Sequence, residues 1–531
     1  MRKFGITAII LLVLQICTFN LSAQQVGEDL IKLGRTLNLI DAFYVDSVRI
    51  PDLTEKMIIN VLRELDPHSV YISAKDVREM NEPLNGNFEG IGVQFNLLRD
   101  SIIIIEPIPG GPSEKVGIRA GDRIIVIDGE KVTGIGISTT GVRKRLMGLK
   151  GTKVDVTVYR PREKEKLDFT IIRDKIPINS VDAAYMLDSE TGYVKLNKFA
   201  ATTEQEFNEA LAVLVKENMK NLIIDLRSNG GGYMLAATSL ADRFFADKKL
   251  IVYVEGRKTP RQDYTSSGKG NLSSARVAVL TDEASASASE IFAGALQDWD
   301  RGVIIGRRTF GKGLVQSQYF LPDGSMIRLT VARYYTPTGR LIQSPYNEGY
   351  DKYMENFYKR YSGGELLSAD SIHFPDSLKY KTLINKRTVY GGGGIMPDVF
   401  VPADTASYSD YYRNLVRRGI LNQYALEYSD KNRTNLKSRY QVFDTYLKGF
   451  AFSDQEIKEM IRKGEEAGVK YAESQFKISR NDILTLLKAL VASYIWQTNE
   501  YFMVLNQNDN AVKKALEVVS DKNTYNKILG Y

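Results

Sequence analysis

Past residue 27 the apolar positions first recur at helical spacing. Leu30, Leu33, Leu37, Ile40 and Phe43, then Met57, Val61, Leu62 and Leu65, predict two or three helices between Gly27 and about Met80. The period shortens at Phe88. Up to Arg173, short β-rich runs (IGVQF, SIIIIEPI, DRIIVIDG, KVDVTVYR, LDFTIIR) alternate with Gly-rich turns, and one helical stretch falls near Ser138–Leu149, which predicts a compact, mostly β unit. From Ser180 to Pro402 strands and helices take turns: GYVKLNKF, a helix at Thr203–Asn218, NLIIDLR, a helix at Tyr233–Phe245, LIVYVEG, ARVAVLTD, a helix at Ala286–Trp299 and GVIIG. That order predicts βαβ units on a largely parallel sheet. Between Ser344 and Tyr390 the periodicity fades into Tyr, Lys, Ser and Gly, the pattern of an inserted excursion before GGGGIMPDVFV resumes the core. Beyond Asp404 the helical period returns, with Tyr-rich helices at Asp410–Tyr428 and Asn481–Tyr501 that suit packing or assembly. Capping-box starts are expected at Ser453-x-x-Glu456 and Ser479-x-x-Asp482.

The chain has 531 residues, enough for three or four domains. With 43% hydrophobic and 25% charged residues, and 42 Gly against 15 Pro, it is neither collagen-like nor disordered. A formal net charge of +7 without a basic cluster gives no footprint for nucleic acid. The start does change the picture. Arg2 and Lys3, the mostly apolar run Ile6–Phe19 and the small residues of Leu21-Ser22-Ala23 read as a secretory signal, so 1–23 is expected to be removed and the protein exported, to the periplasm or outside the cell, and soluble thereafter. Ile16 before Cys17 argues against a lipoprotein signal. Cleavage after Ala23 lowers the net charge from +7 to +5 and removes the sole cysteine, which excludes a cysteine enzyme or a disulfide scaffold.

The candidate chemistry begins with an exclusion. The two histidines, His68 in a DPHS stretch read as helical and His373 in the excursion, lie outside the βαβ core, and no HExxH or Cys/His cluster occurs. Neither a zinc enzyme nor a serine–histidine triad fits, and no metal or cofactor is expected. In ARVAVLTDEASASASEIFAGALQDW a buried strand ends at Thr281 and a helix begins near Ser287, which sets a hydroxyl where unpaired N–H groups favour developing negative charge. The same serines would equally serve as plain helix caps. In NLIIDLRSNGGG an apolar strand runs into a glycine triplet, a turn able to aim N–H groups at a carbonyl oxygen. In GVIIGRRTFGKGLVQ, Lys312 stands between Gly311 and Gly313. An exposed lysine has a pKa of about 10.4, so it acts as a base at neutral pH only where burial lowers that by roughly 3 units.

Together these segments resemble the C-terminal processing peptidases, or tail-specific proteases, a family of serine–lysine endopeptidases. The family pattern reads SASASE at 285–290, FGKG at 310–313 and Gln316, with Lys312 following Ser287 by 25 residues. The resemblance implies Ser287 as nucleophile, Lys312 as general base and Gln316 as its orienting partner. It also implies the backbone N–H groups of Ala288 and Gly231 as oxyanion donors. Asp225, Arg227, YYTPTGRLIQ at 334–343 and LDPHSVYIS at 65–73 also match the family, and they read as structural.

GIGV at 90–93 has the form of a PDZ carboxylate loop, and GPSEKVGIRAGDRIIVIDGEKV resembles the rest of such a domain, with Gly90, Ile91, Gly92 and Val93 as the peptide-binding residues. The implied fold is a multidomain α/β chain: signal 1–23, N-terminal helical region 24–85, an inserted β-rich PDZ domain at 86–175, a crotonase-like ββα serine protease core at 176–403 and a helical C-terminal extension at 404–531. The implied partners are proteins or peptides with apolar C-termini, with a homodimer and an adaptor or activator protein open by analogy with relatives. Two rivals stand beside this reading. One is a non-catalytic PDZ scaffold or chaperone that only holds C-termini. The other is a penicillin-recognising enzyme built on Ser266-x-x-Lys269, for which no KTG or SDN partner is present.

Overall fold

The computed structural model describes residues 27–98, 100–161 and 163–531. The expected signal at 1–23 lies outside the described residues. The described residues divide into two compact units, one of 27–73 with Gln318–Leu329 and one of Ala74–Ser317 with Thr330–Tyr531. In the smaller, a helix at 27–43 and the helix Ile50–Leu65, with Pro51 in its first turn, lead to the strand Val70–Ile72, whose residues pair antiparallel with Met326–Arg328. His68 lies in the turn before that strand, not in a helix, because the Asp66 carboxylate accepts the N–H groups of His68 and Ser69.

The larger unit is a multidomain α/β assembly. Its central sheet has six strands in the order Val181–Met186, Thr191–Leu196, Asn221–Asp225, Arg276–Thr281, Val303–Gly306 and Val399–Phe400, with the first pair antiparallel and the rest parallel. Such a sheet must be covered on both faces. Thr203–Lys216, Met234–Asp242 and Ala288–Asp298 cover one, burying Phe207, Leu240 and Phe292 against Val194, Ile224 and Val279. The C-terminal helices Asn510–Ser520 and Lys522–Leu529 cover the other, where Val512, Ala515 and Val518 meet Tyr193, Ile223 and Leu280. Arg276 Nε donating to the Val519 carbonyl and the Tyr525 hydroxyl accepting from the Val277 N–H fasten that layer at 2.6 and 3.1 Å.

The β-rich domain is a sheet in the order Val93–Leu98, Ser101–Pro107, Arg123–Ile127, Lys153–Arg160 and Glu165–Ile172, with the helix Thr139–Leu146 packed on its core through Val142 and Leu146. Val93–Leu98 is an edge strand. In Ser101–Pro107 four consecutive isoleucines are buried, which a strand with one solvated face would not need. Ile102 and Ile104 enter the domain's own core, whereas Ile103 and Ile105 pack against Leu426 and Tyr494 of the C-terminal helices. Arg123 pairs with Asp430 at 3.1 Å across the same contact.

The excursion at 344–390 is more ordered than its composition suggests. It holds the helix Tyr350–Ser362 and a hairpin of Lys379–Lys381 with Thr388–Tyr390, and its Glu365 carboxylate is gripped by Arg308 and Arg360 at 2.6 and 2.8 Å. The helix expected at Asp410–Tyr428 is two, broken at left-handed Gly419. Ser453 and Glu456 form the expected capping box, but Ser479 is inside the helix Glu473–Ile495, where its hydroxyl bonds Ser407 and Ser409.

A partly buried ion pair of this kind contributes up to about 1 kcal/mol. Arg123→Glu is therefore expected to speed amide hydrogen exchange in Ser101–Pro107 and Ile420–Arg439 by about fivefold. Adding Asp430→Arg in the same chain should restore the protection, and failure of that reversal would mean that the pair does not hold the contact.

Candidate active site

Two turns at the carboxyl ends of neighbouring parallel strands build the site. After Asn221–Asp225 the chain enters the glycine triplet, and after Arg276–Thr281 it enters the serine–alanine turn. Asp225 anchors the first. Burial works against its charge, but Arg227 and Lys195 outweigh burial and hold its carboxyl well below the usual range, while the Tyr193 hydroxyl donates to it at 2.8 Å. Arg227 reaches on to Asp509, the capping residue of Asn510–Ser520, at 2.7 Å, so the covering helix is tied to the site's foundation.

The turns are stitched together. Asp282 Oδ1 accepts from the N–H groups of Ser228, Ala284 and Ser285, and the Ser285 hydroxyl donates to the Leu226 carbonyl at 2.8 Å. The Asn229 carbonyl accepts from the Ala286 N–H at 3.0 Å and from the Ser289 hydroxyl at 2.9 Å. Between these fixed points Ser287 takes φ 54° and ψ −112°, a conformation that side chains rarely adopt and that surrounding structure must impose. Its residue is half-buried, and it immediately precedes a helix whose every residue is buried. Ser287 and Glu290 form a capping box at the first turn, in which the Ser287 N–H donates to Glu290 Oε2 at 2.8 Å. The Ala288 N–H has no acceptor among the described residues.

Gly231 is beside this turn. A Cβ there would fall 2.8 Å from both the Ala288 nitrogen and the Ser287 Cβ, and φ of +96° also favours glycine. The sequence suggested a free N–H at Gly231. The structure gives that N–H to the Asn229 side-chain oxygen at 2.9 Å, because Asn229 is buried and its amide needs partners on both ends, the other being the Leu196 carbonyl.

Lys312 stands half-buried in the loop after Val303–Gly306, and its Nζ donates to Gln316 Oε1 at 3.0 Å. The loop is docked by Glu290, which is wholly buried. Its Oε1 accepts from the Thr309 hydroxyl at 2.5 Å and the Gly311 N–H at 2.7 Å, and its Oε2 from the Lys312 N–H at 2.9 Å. Burial pushes the Glu290 carboxyl up to about 7, against the pull of these donors. Glu290 and Tyr334 were not singled out from sequence as functional. The available signal was a carboxylate in the first turn of a helix that is apolar or small from Ile291 to Leu296.

In the β-rich domain Ile91 is buried, and neither Ile91 nor Gly92 gives its N–H to an acceptor among the described residues. Gly92 has φ of +72° and Gly90 pairs with Asp174, so the loop turns at the start of the edge strand Val93–Leu98. Ser266 fits no nucleophile, since its buried hydroxyl is spent on the Asp247 carbonyl and the Lys249 N–H, both at 2.8 Å. Among the described residues no cluster of His, Cys, Asp or Glu is arranged to hold a metal ion, and no helix is long and apolar enough to cross a membrane.

Residues 190–348 match the model of peptidase family S41, residues 90–171 that of the PDZ domain, and residues 411–497 a family of unknown function. The chain is 38% identical over 276 residues to the carboxyl-terminal-processing protease of Picosynechococcus, a match covering 51% of this chain and 66% of that one. It is 34% identical over 314 residues to the carboxy-terminal processing protease CtpB of Bacillus subtilis, covering 59% and 65%. The matches thus span just under two thirds of these relatives. Among solved structures, the photosystem II D1 C-terminal processing protease is 32% identical, with 58% of this chain and 83% of that one covered and a TM-score of 0.33.

Glu290 also has a stability consequence. The folded carboxyl keeps its proton up to about pH 7, whereas an unfolded glutamate loses it near 4.5, so between these values the native state binds more protons. Its stabilising contribution is full below about pH 4.5 and is lost as pH rises to about 7. The melting temperature of wild type relative to Glu290→Gln is therefore expected to fall across that window and level off above it. A difference independent of pH would show that Glu290 does not titrate there.

Proposed function

Because the chain belongs to peptidase family S41, we propose that it is a serine endopeptidase that captures the apolar C-terminus of a protein on its PDZ domain and cuts upstream by a Ser287–Lys312 dyad. The observation that carries the reading is the strained Ser287 at the head of a buried helix, with Lys312 on a loop docked to that helix and oriented by Gln316. Neutral Lys312 Nζ takes the proton from Ser287 Oγ as Oγ attacks the scissile carbonyl carbon. The carbonyl oxygen, now negative, is held by the Ala288 N–H and, once it leaves Asn229, by the Gly231 N–H. Lys312 then protonates the leaving amine, the C–N bond breaks, and water hydrolyses the acyl-enzyme with Lys312 again as base. No metal or cofactor enters these steps.

Tail capture is supported by the edge strand Val93–Leu98, which offers a ladder for an added strand, and by the Ile91 and Gly92 N–H groups at its start, which suit a terminal carboxylate. Val93, Phe95, Val142 and Leu146 supply an apolar surround that favours an apolar last residue. Export to the periplasm or beyond is supported by the basic, apolar and small residues of 1–23. Self-association is supported by the exposed Leu30, Ile31 and Phe43 of the first helix, at 64%, 72% and 79% exposure.

Intact-mass analysis of mature wild type, Ser287→Ala and Lys312→Ala, incubated with an unfolded substrate ending in Ala-Ala and with its Asp-Asp twin, tests the proposal. Only wild type should yield fragments, and the Ala-Ala substrate should be cut faster. Cutting by Ser287→Ala at the wild-type rate would remove Ser287 as nucleophile, and equal rates on both substrates would remove apolar tail recognition.

A further inference from the structure

Two buried side chains outside the dyad each hold both of its members by the main chain. Glu290 Oε2 accepts the N–H of Ser287 at 2.8 Å and the N–H of Lys312 at 2.9 Å. The Tyr334 hydroxyl donates to the carbonyl of Lys312 at 2.6 Å and, more weakly, to the carbonyl of Ser287 at 3.1 Å. Both side chains are shut off from water, Glu290 at 0% and Tyr334 at 1% exposure. They come from different elements, Glu290 from the helix Ala288–Asp298 and Tyr334 from the strand Met326–Tyr335. The Tyr334 N–H also donates to the Gly313 carbonyl at 3.0 Å, so the strand is laced to the lysine loop at two successive peptides.

We propose that Glu290 and Tyr334 form a clamp that fixes the backbone separation of Ser287 and Lys312, making both positioning residues for the dyad. This rests on the serine–lysine reading given above. An acceptor on one side and a donor on the other grip the N–H and the C=O of the same two residues, while both reacting side chains stay unrestrained by the clamp. Reaction between a hydroxyl and an amine on different elements depends on their approach to within a fraction of an ångström, and a misplacement of about 1 Å costs on the order of 100-fold in rate. Burial makes the clamp stiff, since no water can replace a donor or acceptor that moves away.

The test uses the full mature chain carrying Tyr334→Phe, which removes the hydroxyl and keeps the ring, together with Glu290→Gln and the double variant. The probes are an unfolded polypeptide ending in Ala-Ala for kcat and KM, and a fluorophosphonate for the rate of Ser287 modification, which requires no captured tail. Tyr334→Phe is expected to lower kcat and the labelling rate by about 10- to 100-fold with KM within about twofold. The double variant should lose less than the product of the two single losses, because both residues hold the same pair. Wild-type kcat and labelling in Tyr334→Phe would overturn the clamp. So would losses that vanish when the assay is run well below each variant's melting temperature, the mark of a merely structural role.

Ser287→Ala and Lys312→Ala in the same assays separate the two failures. If both are inactive while Tyr334→Phe behaves as wild type, the clamp alone falls. If either dyad variant cuts as wild type, or if wild type neither cuts nor labels, the serine–lysine reading falls and the clamp with it.

Discussion

A carboxylate sealed from water must find its hydrogen-bond donors within the protein, and at Glu290 those donors are the parts of the site itself. Four groups answer it: the N–H of Ser287, the hydroxyl of Thr309 and the N–H groups of Gly311 and Lys312. The helix head, the turn before it and the lysine loop are therefore held by one side chain. Thr309 extends the reach, since its oxygen accepts the Ile395 N–H at 2.6 Å and so joins the glycine-rich segment at 391–394 to the same centre. Removing any of these donors would leave a buried carboxyl oxygen short of a partner, which costs more than the lost bond alone.

The strained backbone of Ser287 follows from this arrangement. Its N–H is claimed by Glu290, its neighbour Ala286 is pinned to Asn229, and Gly231 approaches too closely for any side chain between them. With both flanking peptides fixed, φ of 54° is the conformation left to Ser287. The residue pattern left both cap and nucleophile open for this serine, and at the first turn Ser287 and Glu290 form a capping box.

The C-terminal helices are structural in two directions. One set closes the second face of the parallel sheet beneath the site, and through Asp509 it meets Arg227 beside the glycine turn. Another set receives the outward isoleucines of the β-rich domain. The stretch matched by the family of unknown function contains Leu426, Asp430 and Tyr494, the residues of this second contact.

Much was legible in the chain. The switch from helical to alternating period, the order of βαβ units and the glycine turn are set by residues within a few positions of one another, and local sterics translate them directly into elements, while Ser287, Lys312 and Gln316 were legible from their motifs and the 25-residue spacing of the first two. The run of four isoleucines from Ile102 to Ile105 read as a strand, yet nothing near it in sequence named the helices more than 300 residues away that cover its second face. The excursion was obscure for the same reason, since Glu365 is ordered by Arg308 from a distant loop. Sequence by itself determined which candidate residues the site holds and which elements present them. Tertiary structure decided how the site is held: that Gly231 gives its N–H to Asn229, that Glu290 and Tyr334 join Ser287 to Lys312, and that the terminal helices close the sheet. A buried polar group takes whichever partner the packed chain brings within about 3 Å, and that choice is made only when distant segments meet.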